Sequence, residues 1–456
     1  MKTHPLYVKP ILLFSEQRRV EFTSWRVWGA ITSRLEAKEE SERIKKELNY
    51  LESAAHFPLK ILELDLASSL EDVLSIEKEL SRADVVLLYA AGGGVNEINE
   101  IAKRKKTLIF VRWKSGPYYL WHEIADARLV RMNTSDKPIN PWISLEDIVV
   151  DDYNELLSKL RALYALKNVR GRRILCIGGA WGWEIGSVAA VNAARTWGLD
   201  IITVPYSELE AEIKSVEERE KDAVERLVKN YISQSDVEVK VPLENVRKSF
   251  VLYIALKNLA QKYEADAVTS PGCMTNIIQI AKTPPCLPYS LLNDEDMLGI
   301  CEGDFVAIPA FILLRLISGK PVFFANPTLP QHGEVLVAHC TAPRRMDGTS
   351  LLPAELYTHF ESNEGTAIRV LMKRGEVVTV VNPSFDGKSW VVFKGEIVDA
   401  PFYPACRTQA VIKIHGDWTK LRCSMRGFHW LIVYGDYVDP IVYALKKMGV
   451  EPVMIS

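Results

Sequence analysis

The stretch Val85-Val86-Leu87-Leu88-Tyr89-Ala90, followed closely by Gly92-Gly93-Gly94, decides the fold class. Six apolar residues without a polar break predict a strand that is buried on both faces. The glycines predict a tight loop, residues 95–103 have the pattern of a helix, and residues 107–112 are again β-rich. Units of strand, loop, helix and strand predict a parallel, doubly wound sheet.

The same alternation extends on both sides of this stretch. Upstream, strands are predicted at residues 6–14 and 59–66, and helices at residues 33–49 and 70–82. Downstream, the pattern restarts at Arg173-Ile174-Leu175-Cys176-Ile177-Gly178, a strand that ends in glycine. The elements predicted after it are helix 185–196, strand 200–204, helix 208–232, helix 249–263, strand 267–269 and helix 304–317.

The character of the sequence changes after Pro321. Short β-rich runs punctuated by Gly and Pro predict an all-β barrel or sandwich, with one helix near residues 440–448. These runs are residues 322–324, 334–338, 366–371, 377–381, 389–393, 410–414 and 430–433. We therefore predict two doubly wound α/β domains of the Rossmann or flavodoxin type, residues 1–167 and 168–320, and a β-rich, barrel-like domain over residues 321–456.

Composition narrows the function classes. The 456 residues carry 58 acidic and 56 basic side chains, a net charge of −2, which argues against a nucleic-acid partner and an anionic membrane surface. Residues 1–14 lack the features of a secretory signal. The most apolar stretch, residues 305–317, is shorter than the roughly 20 residues of a bilayer helix. We expect a cytoplasmic protein.

The seven cysteines are widely spread, and no CxxC pair occurs. This spacing argues against both a disulfide framework and a thiolate zinc site, and it favours reduced thiols in the core.

The segment Gly178-Gly179-Ala180-Trp181-Gly182-Trp183 follows a strand but does not fit the spacing of a dinucleotide fingerprint. No phosphate-binding P-loop motif occurs in the chain. One interpretation is a set of tight turns between strand and helix. Another is that Trp181 and Trp183 form a wall of a carbohydrate pocket, since flat aromatic faces suit the C–H faces of sugars.

Two histidines stand at the ends of apolar β-rich runs: His339 follows residues 335–338, and His429 precedes residues 430–433. Either alone is more often a core residue. Glu302, in Cys301-Glu302-Gly303-Asp304, follows a segment dense in acids, whereas Asp304 has the position of a helix N-cap. One carboxylate and two imidazoles would suit Mn²⁺ or Co²⁺.

Several of these segments together resemble the L-fucose/L-arabinose isomerase superfamily. The resemblance is specific over residues 285–436, and over residues 1–284 it rests on architecture. Its segments are Pro285-Cys286-Leu287-Pro288-Tyr289-Ser290-Leu291-Leu292-Asn293-Asp294-Glu295, Cys301-Glu302-Gly303-Asp304, Gly319-Lys320-Pro321-Val322-Phe323-Phe324-Ala325-Asn326-Pro327, Leu336-Val337-Ala338-His339-Cys340, Tyr357-Thr358-His359-Phe360-Glu361-Ser362-Asn363 and the late His429.

The resemblance implies an aldose–ketose isomerase that moves a proton between two carbons of an open-chain sugar through an ene-diol. It implies a divalent metal, usually Mn²⁺ with Co²⁺ or Mg²⁺ as substitutes, held by Glu302, His339 and His429. Glu302 would also act as a base. His359 and Glu361 would bind the substrate, as would Trp181 on the carbohydrate-pocket interpretation.

The resemblance also implies a homo-oligomer, a trimer or a hexamer. N-terminal residues of one subunit, such as Glu16-Gln17-Arg18-Arg19 or Trp121-His122-Glu123, would then approach the site of a neighbour. A salt-bridged surface is the alternative interpretation of both segments.

One position departs from the family pattern. Asn326 stands where the family has its second catalytic acid, and an amide can coordinate a hard metal through oxygen but cannot accept a proton as a base. Asp304, Glu361 and Asp296 are candidates to replace that acid. The alternatives to isomerisation are a related metal-dependent epimerisation or aldol-type cleavage, and a non-catalytic sugar-binding protein.

Overall fold

The computed structural model describes residues 2–26, 31–116 and 123–456. The chain separates into two compact units, residues 3–164 and residues 165–456 together with Lys2. The three domains predicted from the sequence, with boundaries at 167/168 and 320/321, stay a prediction. Of the two N-terminal segments expected near a neighbouring subunit, Trp121 and His122 lie outside the described residues.

The unit of residues 3–164 contains a parallel sheet with helices between its strands, as the alternating pattern predicts. The described strands are β1 Leu6–Leu13, β2 Leu59–Ile61, β3 Asp65–Ala67, β4 Val85–Ala90, β5 Lys106–Val111 and β6 Ile148–Val150. The helices are α1 Arg34–Ala54, α2 Leu70–Ser75, α3 Glu77–Ser81, α4 Val95–Arg104 and α5 Tyr153–Val169, with a π-helix at Glu123–Val130 and a 3₁₀ turn at Leu145–Asp147.

The strand order of this sheet is β2-β1-β4-β5-β6, and every pair is parallel. The predicted strand over residues 59–66 is split, because β2 pairs with the first half of β1 and β3 with its second half. If β2 and β3 count as one position, this is the 2-1-3-4-5 order of flavodoxin-like sheets. All six residues of β4 are buried, as their uninterrupted apolar run predicts.

The second unit contains a parallel sheet, a barrel and a small three-stranded sheet. Its strands are β7 Arg173–Ile177, β8 Asp200–Val204, β9 Val237–Val239, β10 Ala267–Thr269, β11 Leu298–Ile300, β12 Phe323–Pro327, β13 Glu334–His339, β14 Ala354–Tyr357, β15 Ala367–Val370, β16 Val377–Pro383, β17 Ser389–Asp399, β18 Thr408–His415, β19 Trp430–Tyr434 and β20 Glu451–Ile455. Its helices are α6 Val188–Trp197, α7 Tyr206–Arg219, α8 Lys221–Ile232, α9 Leu243–Lys262, α10 Asn276–Ala281, α11 Cys286–Asp294, α12 Ile308–Ser318, α13 Trp418–Ser424 and α14 Val438–Lys447.

The parallel sheet of this unit has the order β11-β10-β7-β8. The barrel is antiparallel and closed: the order β16-β19-β12-β13-β18-β17 returns to β16 through the pairing of β16 with β17. β20 adds to the outside of this ring, parallel to β17. Closure leaves the six strands without free edges and confirms the barrel-like prediction for the C-terminal part.

Some predicted boundaries are wrong. The helix expected over residues 304–317 begins only at Ile308, because residues 301–303 form a 3₁₀ turn and Asp304 pairs in extended conformation with Trp181. The long charged helical region predicted over residues 208–232 is helical as expected and consists of two helices, α7 and α8, that meet at Glu220. Among the described residues, no helix has both the length and the apolar character needed to span a membrane.

Candidate active site

A cavity of about 420 Å³ lies in the second unit, with walls from its parallel sheet and from the barrel. The segments that follow β7, β10 and β11 contribute Trp183, Met274 and Glu302. Strand β13 ends at His339, and Phe428 precedes β19. Carboxyl ends of parallel strands are where α/β sheets bind ligands, so the fold itself brings these side chains to a binding position.

Glu302 is held in a backbone conformation that few residues adopt. Its φ is +60°, and that of Gly303 is +61°. A Cβ on residue 303 would lie 2.8 Å from the backbone nitrogen of Pro271, so glycine is required there. Left-handed backbone at a non-glycine residue is strained and is concentrated at functional sites. The turn after β11 thus fixes Glu302 on the cavity wall.

The Glu302 carboxylate lies between two imidazoles. Its Oε1 is 3.4 Å from His339 Nε2, and its Oε2 is 3.4 Å from His429 Nε2. Trp183 Nε1 donates a 2.8 Å hydrogen bond to the same Oε2. The structure therefore brings together the three residues that the sequence predicts as metal ligands.

His429 is oriented by a buried carboxylate. Its Nδ1 lies 2.8 Å from Asp304 Oδ2, and neither side chain has measurable solvent exposure. Asp304 Oδ1 accepts the backbone N–H groups of Trp183 and Val306 at 3.3 and 3.1 Å. Asp304 thus directs His429 Nε2 towards Glu302, an arrangement common for metal-binding histidines.

The electrostatics of the three groups are coupled. Burial raises the pKa of Glu302, but the His339 and His429 imidazoles outweigh it and place the pKa of that carboxyl below its usual range. Burial lowers the pKa of His429, but its hydrogen bond to Asp304 and the charge of Glu302 leave that pKa above its ordinary value. Glu302 is therefore ionised at neutral pH.

The donor atoms of these residues suit a divalent metal ion, and Glu302 and His339 belong, with Cys301, to a group whose ligand atoms all lie within 4.8 Å of one another. His429 Nε2 is buried and makes no hydrogen bond to any described residue. A buried nitrogen without a hydrogen bond is costly unless another ligand satisfies it. Oxygen from Glu302 with nitrogen from His339 and His429 is a donor set suited to Mn²⁺ or Co²⁺.

The structure places the other predicted residues as follows. Asn326 on β12, His359 and Glu361 all line the cavity. Trp181 is not among the lining residues; it packs edge-on against Trp183 with ring centroids 5.1 Å apart. Trp183 itself lines the cavity and stacks on Phe428 at 4.6 Å, so the aromatic wall is formed by this pair.

The three acids proposed as substitutes for the residue at position 326 occupy different places. Glu361 faces the cavity. Asp304 contacts Nδ1 of His429 and is not among the residues that line the cavity. Asp296 has an exposed side chain 3.3 Å from Arg315. Among the described residues that line the cavity, Glu302 and Glu361 are the two carboxylates.

All seven cysteines are free thiols, and five of them line this cavity, which the sequence does not predict. The five are Cys273, Cys286, Cys301, Cys340 and Cys406. They come from segments far apart in the chain, so no local spacing signals their proximity.

No family model matches the chain. The chain is 22% identical over 280 residues to a sulfoquinovose isomerase from Clostridium sp. (strain MSTE9). The match covers 59% of this chain and 61% of that protein, so the chain spans less than two thirds of its relative's length. This similarity supports a distant relationship to a sugar isomerase.

Among solved structures, a periplasmic ribose ABC transporter from Conexibacter woesei DSM 14684 matches with 10% identity and a TM-score of 0.18. That match covers 71% of this chain and 80% of the transporter. At this TM-score the likeness carries no argument about fold or function.

Proposed function

We propose that the protein is a metal-dependent aldose–ketose isomerase that acts on an open-chain sugar through an ene-diol. The observation that carries the proposal is the position of Glu302 between His339 and His429 on the wall of the cavity. The distant similarity to a sulfoquinovose isomerase supports the same class of reaction. Assembly as a homo-oligomer and a cytoplasmic location stay predictions.

The metal ion, with Mn²⁺ as first choice and Co²⁺ or Mg²⁺ as substitutes, would be held by Glu302, His339 and His429, with the Asn326 side-chain oxygen as a further donor. When bound, the ion polarises the sugar carbonyl and stabilises the charge of the ene-diolate. Asp304 keeps His429 oriented, and the Trp183 N–H fixes one oxygen of Glu302.

Isomerisation removes a proton from C2 of the aldose and returns one to C1, while a hydroxyl proton moves between O2 and O1. A carboxylate beside the two carbons is suited to this transfer. Asn326 cannot accept a proton, so we assign the transfer to the two carboxylates of the cavity wall, Glu302 and Glu361.

The rest of the cavity is suited to hold the sugar. Burial, with smaller contributions from His339 and Arg407, lowers the pKa of His359 to about 4, so its imidazole is neutral and can hydrogen-bond a hydroxyl group. Trp183 and Phe428 offer a stacked aromatic wall for the C–H face of a sugar.

Asn326 favours one second candidate. With an amide where the resemblance places the second acid, the second candidate is a related metal-assisted epimerisation or aldol-type cleavage. Product analysis separates the reactions: an aldose–ketose pair supports isomerisation, an epimer or shorter fragments support the second candidate.

The test is a panel of aldoses, with sulfoquinovose included because the relative acts on it, incubated with Mn²⁺ or with EDTA and followed by NMR. We expect one aldose to convert to its ketose with Mn²⁺ and not with EDTA. Glu302→Gln should lose this turnover, whereas Glu264→Gln, which changes an exposed carboxylate, should keep it. Full metal-dependent turnover in Glu302→Gln, with both variants folded, would overturn the site assignment.

A further inference from the structure

Two buried thiols face each other on the wall of the cavity. They offer sulfur as a ligand, whereas the Glu302 group offers oxygen and nitrogen. Cys286 begins α11, and Cys340 follows β13. Their Sγ atoms are 3.1 Å apart, and the two residues are 3% and 4% exposed. Cysteines 54 positions apart in sequence are thus in direct contact.

One further metal ligand, an imidazole, adjoins this pair. A ring nitrogen of His359 and the sulfurs of Cys286 and Cys340 all lie within 4.8 Å of one another. Cys406 lines the same cavity but is not part of this mutually close group of three. In a tetrahedral site with Zn–S of about 2.3 Å and Zn–N of about 2.0 Å, ligand atoms are separated by roughly 3.3–3.8 Å. The three observed residues are therefore spaced closely enough to supply three ligands of a tetrahedral zinc site, and Cys406, on the wall of the same cavity, is the candidate for the fourth.

We propose that Cys286, Cys340, Cys406 and His359 form a second metal site, for Zn²⁺ or another thiophilic ion. Binding converts the three thiols to thiolates and releases three protons, and the neutral imidazole donates its lone pair. No electron is transferred. This ligand set shares no residue with Glu302, His339 and His429. It does include His359, which would then bind the ion instead of a sugar hydroxyl group.

Ligation of the ion through His359 Nε2 requires a change of tautomer. Its Nδ1 is 3.0 Å from Ser362 Oγ and 3.3 Å from the Ser362 backbone nitrogen. Metal-binding histidines usually donate their other ring N–H to an oxygen. The amide contact favours the opposite tautomer, so we expect the ring proton to move to Nδ1, where it can bond to Ser362 Oγ, when the ion binds.

The two sites are chemically distinct although they share one cavity. The Glu302 group offers oxygen and imidazole nitrogen, which suit Mn²⁺, whereas the cysteine cluster offers sulfur, which selects Zn²⁺ or softer ions. His339 and Cys340 are consecutive in the chain. An ion bound by Cys340 would therefore be held by the residue next to His339, one of the proposed isomerase ligands. Zinc there would fix the end of β13 in place.

The test uses the full chain, purified with reductant, stripped by chelator, supplied with saturating Mn²⁺ and then with one equivalent of Zn²⁺. Zinc affinity is measured by competition with a chromophoric chelator, and the ligands by X-ray absorption at the zinc edge. We expect three sulfurs at about 2.3 Å and one nitrogen. The double variant Cys286→Ser/Cys340→Ser should bind zinc at least 100-fold more weakly.

Two controls make the result specific, and two single variants stand in reserve. Cys423→Ser changes an exposed thiol on α13 and should leave zinc affinity unchanged. Glu302→Gln should also leave it unchanged while it weakens Mn²⁺ binding, which separates the two sites. If the double variant does not fold, His359→Gln and Cys406→Ser replace it, each with an expected loss of at least tenfold.

Three outcomes would overturn the proposal. The first is a zinc spectrum with oxygen and nitrogen ligands only. The second is loss of zinc in Glu302→Gln, which would place the ion on the other group. The third is a Cys286–Cys340 disulfide that persists in protein purified with reductant. A protein that never isomerises a sugar yet binds zinc through sulfur would leave this proposal standing.

Discussion

Asp304→Asn is the substitution that probes the arrangement of the candidate site most sharply. Asp304 is fully buried, but the asparagine has the shape of the aspartate it replaces and keeps one side-chain oxygen, so the fold should be retained. Asp304 Oδ1 already accepts two backbone N–H groups, those of Trp183 and Val306. The asparagine oxygen will stay with those donors, and its NH₂ group will then face His429 Nδ1.

An NH₂ group can only donate, so His429 Nδ1 must accept, and the ring proton moves to Nε2. That nitrogen then points an N–H at Glu302 instead of a lone pair at a metal ion. Loss of a hydrogen bond to a charged group costs about 1.5–3 kcal/mol. Since 1.36 kcal/mol corresponds to a tenfold change in rate, this loss lowers the rate about 10- to 150-fold. The same change in the buried aspartate of a Ser-His-Asp triad, where it produces the wrong tautomer, costs about 10⁴ in rate.

We therefore expect Asp304→Asn to reduce kcat/KM by a factor between about 10² and 10⁴ and to weaken Mn²⁺ binding at least tenfold. Turnover of the best sugar and Mn²⁺ affinity by titration are the two measurements, with circular dichroism as the check on folding. Asp296→Asn, which alters an exposed aspartate, is the matched control and should change neither. A folded Asp304→Asn protein with wild-type Mn²⁺ affinity and turnover would refute the role given to His429.

Three further predictions follow from single contacts. Trp183→Phe keeps an aromatic ring but removes the N–H bonded to Glu302, so turnover should fall about tenfold, at the loss of one charge-assisted hydrogen bond; equal turnover would show that Trp183 is only packing. Glu361→Gln should abolish product formation but leave Mn²⁺ affinity intact, and loss of Mn²⁺ would instead make Glu361 a ligand. Burial raises the pKa of Asp294 to about 7, above its unfolded value near 4. The stability that the protonated Asp294 contributes is therefore full at low pH and is lost as pH rises through 7. The gain in urea midpoint of Asp294→Asn over wild type should therefore grow between pH 4 and pH 8, and a gain independent of pH would contradict this assignment.

The α/β elements were predictable because burial leaves a direct mark on the sequence. An uninterrupted apolar run such as residues 85–90 has few alternatives to a strand covered on both faces, and all of it is buried. The barrel strands were predictable for the related reason that short β-rich runs alternate with turn residues. β20 and α13 were missed, because their few residues lack a clear period.

The site was predictable only in part. Glu302, His339 and His429 stand out because each terminates or begins an apolar element, but their mutual distances depend on barrel closure, which no local pattern encodes. Asp304 looked like a helix cap because an apolar helix follows it. Asp304 instead pairs with Trp181 in extended conformation, and the helix begins only at Ile308. Asp304 Oδ2 bonds His429 Nδ1.

The cysteine cluster was not predictable, and the sequence analysis argues against it. Spacing rules for thiolate sites detect ligands that are close along the chain. Cys286, Cys340 and Cys406 belong to a helix, a strand end and a loop, and only the packing of the barrel against the α/β sheet brings the first two into contact. Trp183 was likewise recognised as an aromatic, but its hydrogen bond to Glu302 depends on the turn after β11.

Proton transfer between adjacent carbons of a sugar is the reaction that we assign to Glu302 and its two histidines. The most direct measurement is solvent deuterium incorporation into aldoses and ketoses, read by NMR with Mn²⁺ present and again with EDTA. We expect deuterium at C1 or C2 together with aldose–ketose interconversion, both dependent on Mn²⁺ and both lost in Glu302→Gln. A protein shown to bind Mn²⁺ at Glu302 that exchanges no carbon-bound proton in any sugar would contradict it.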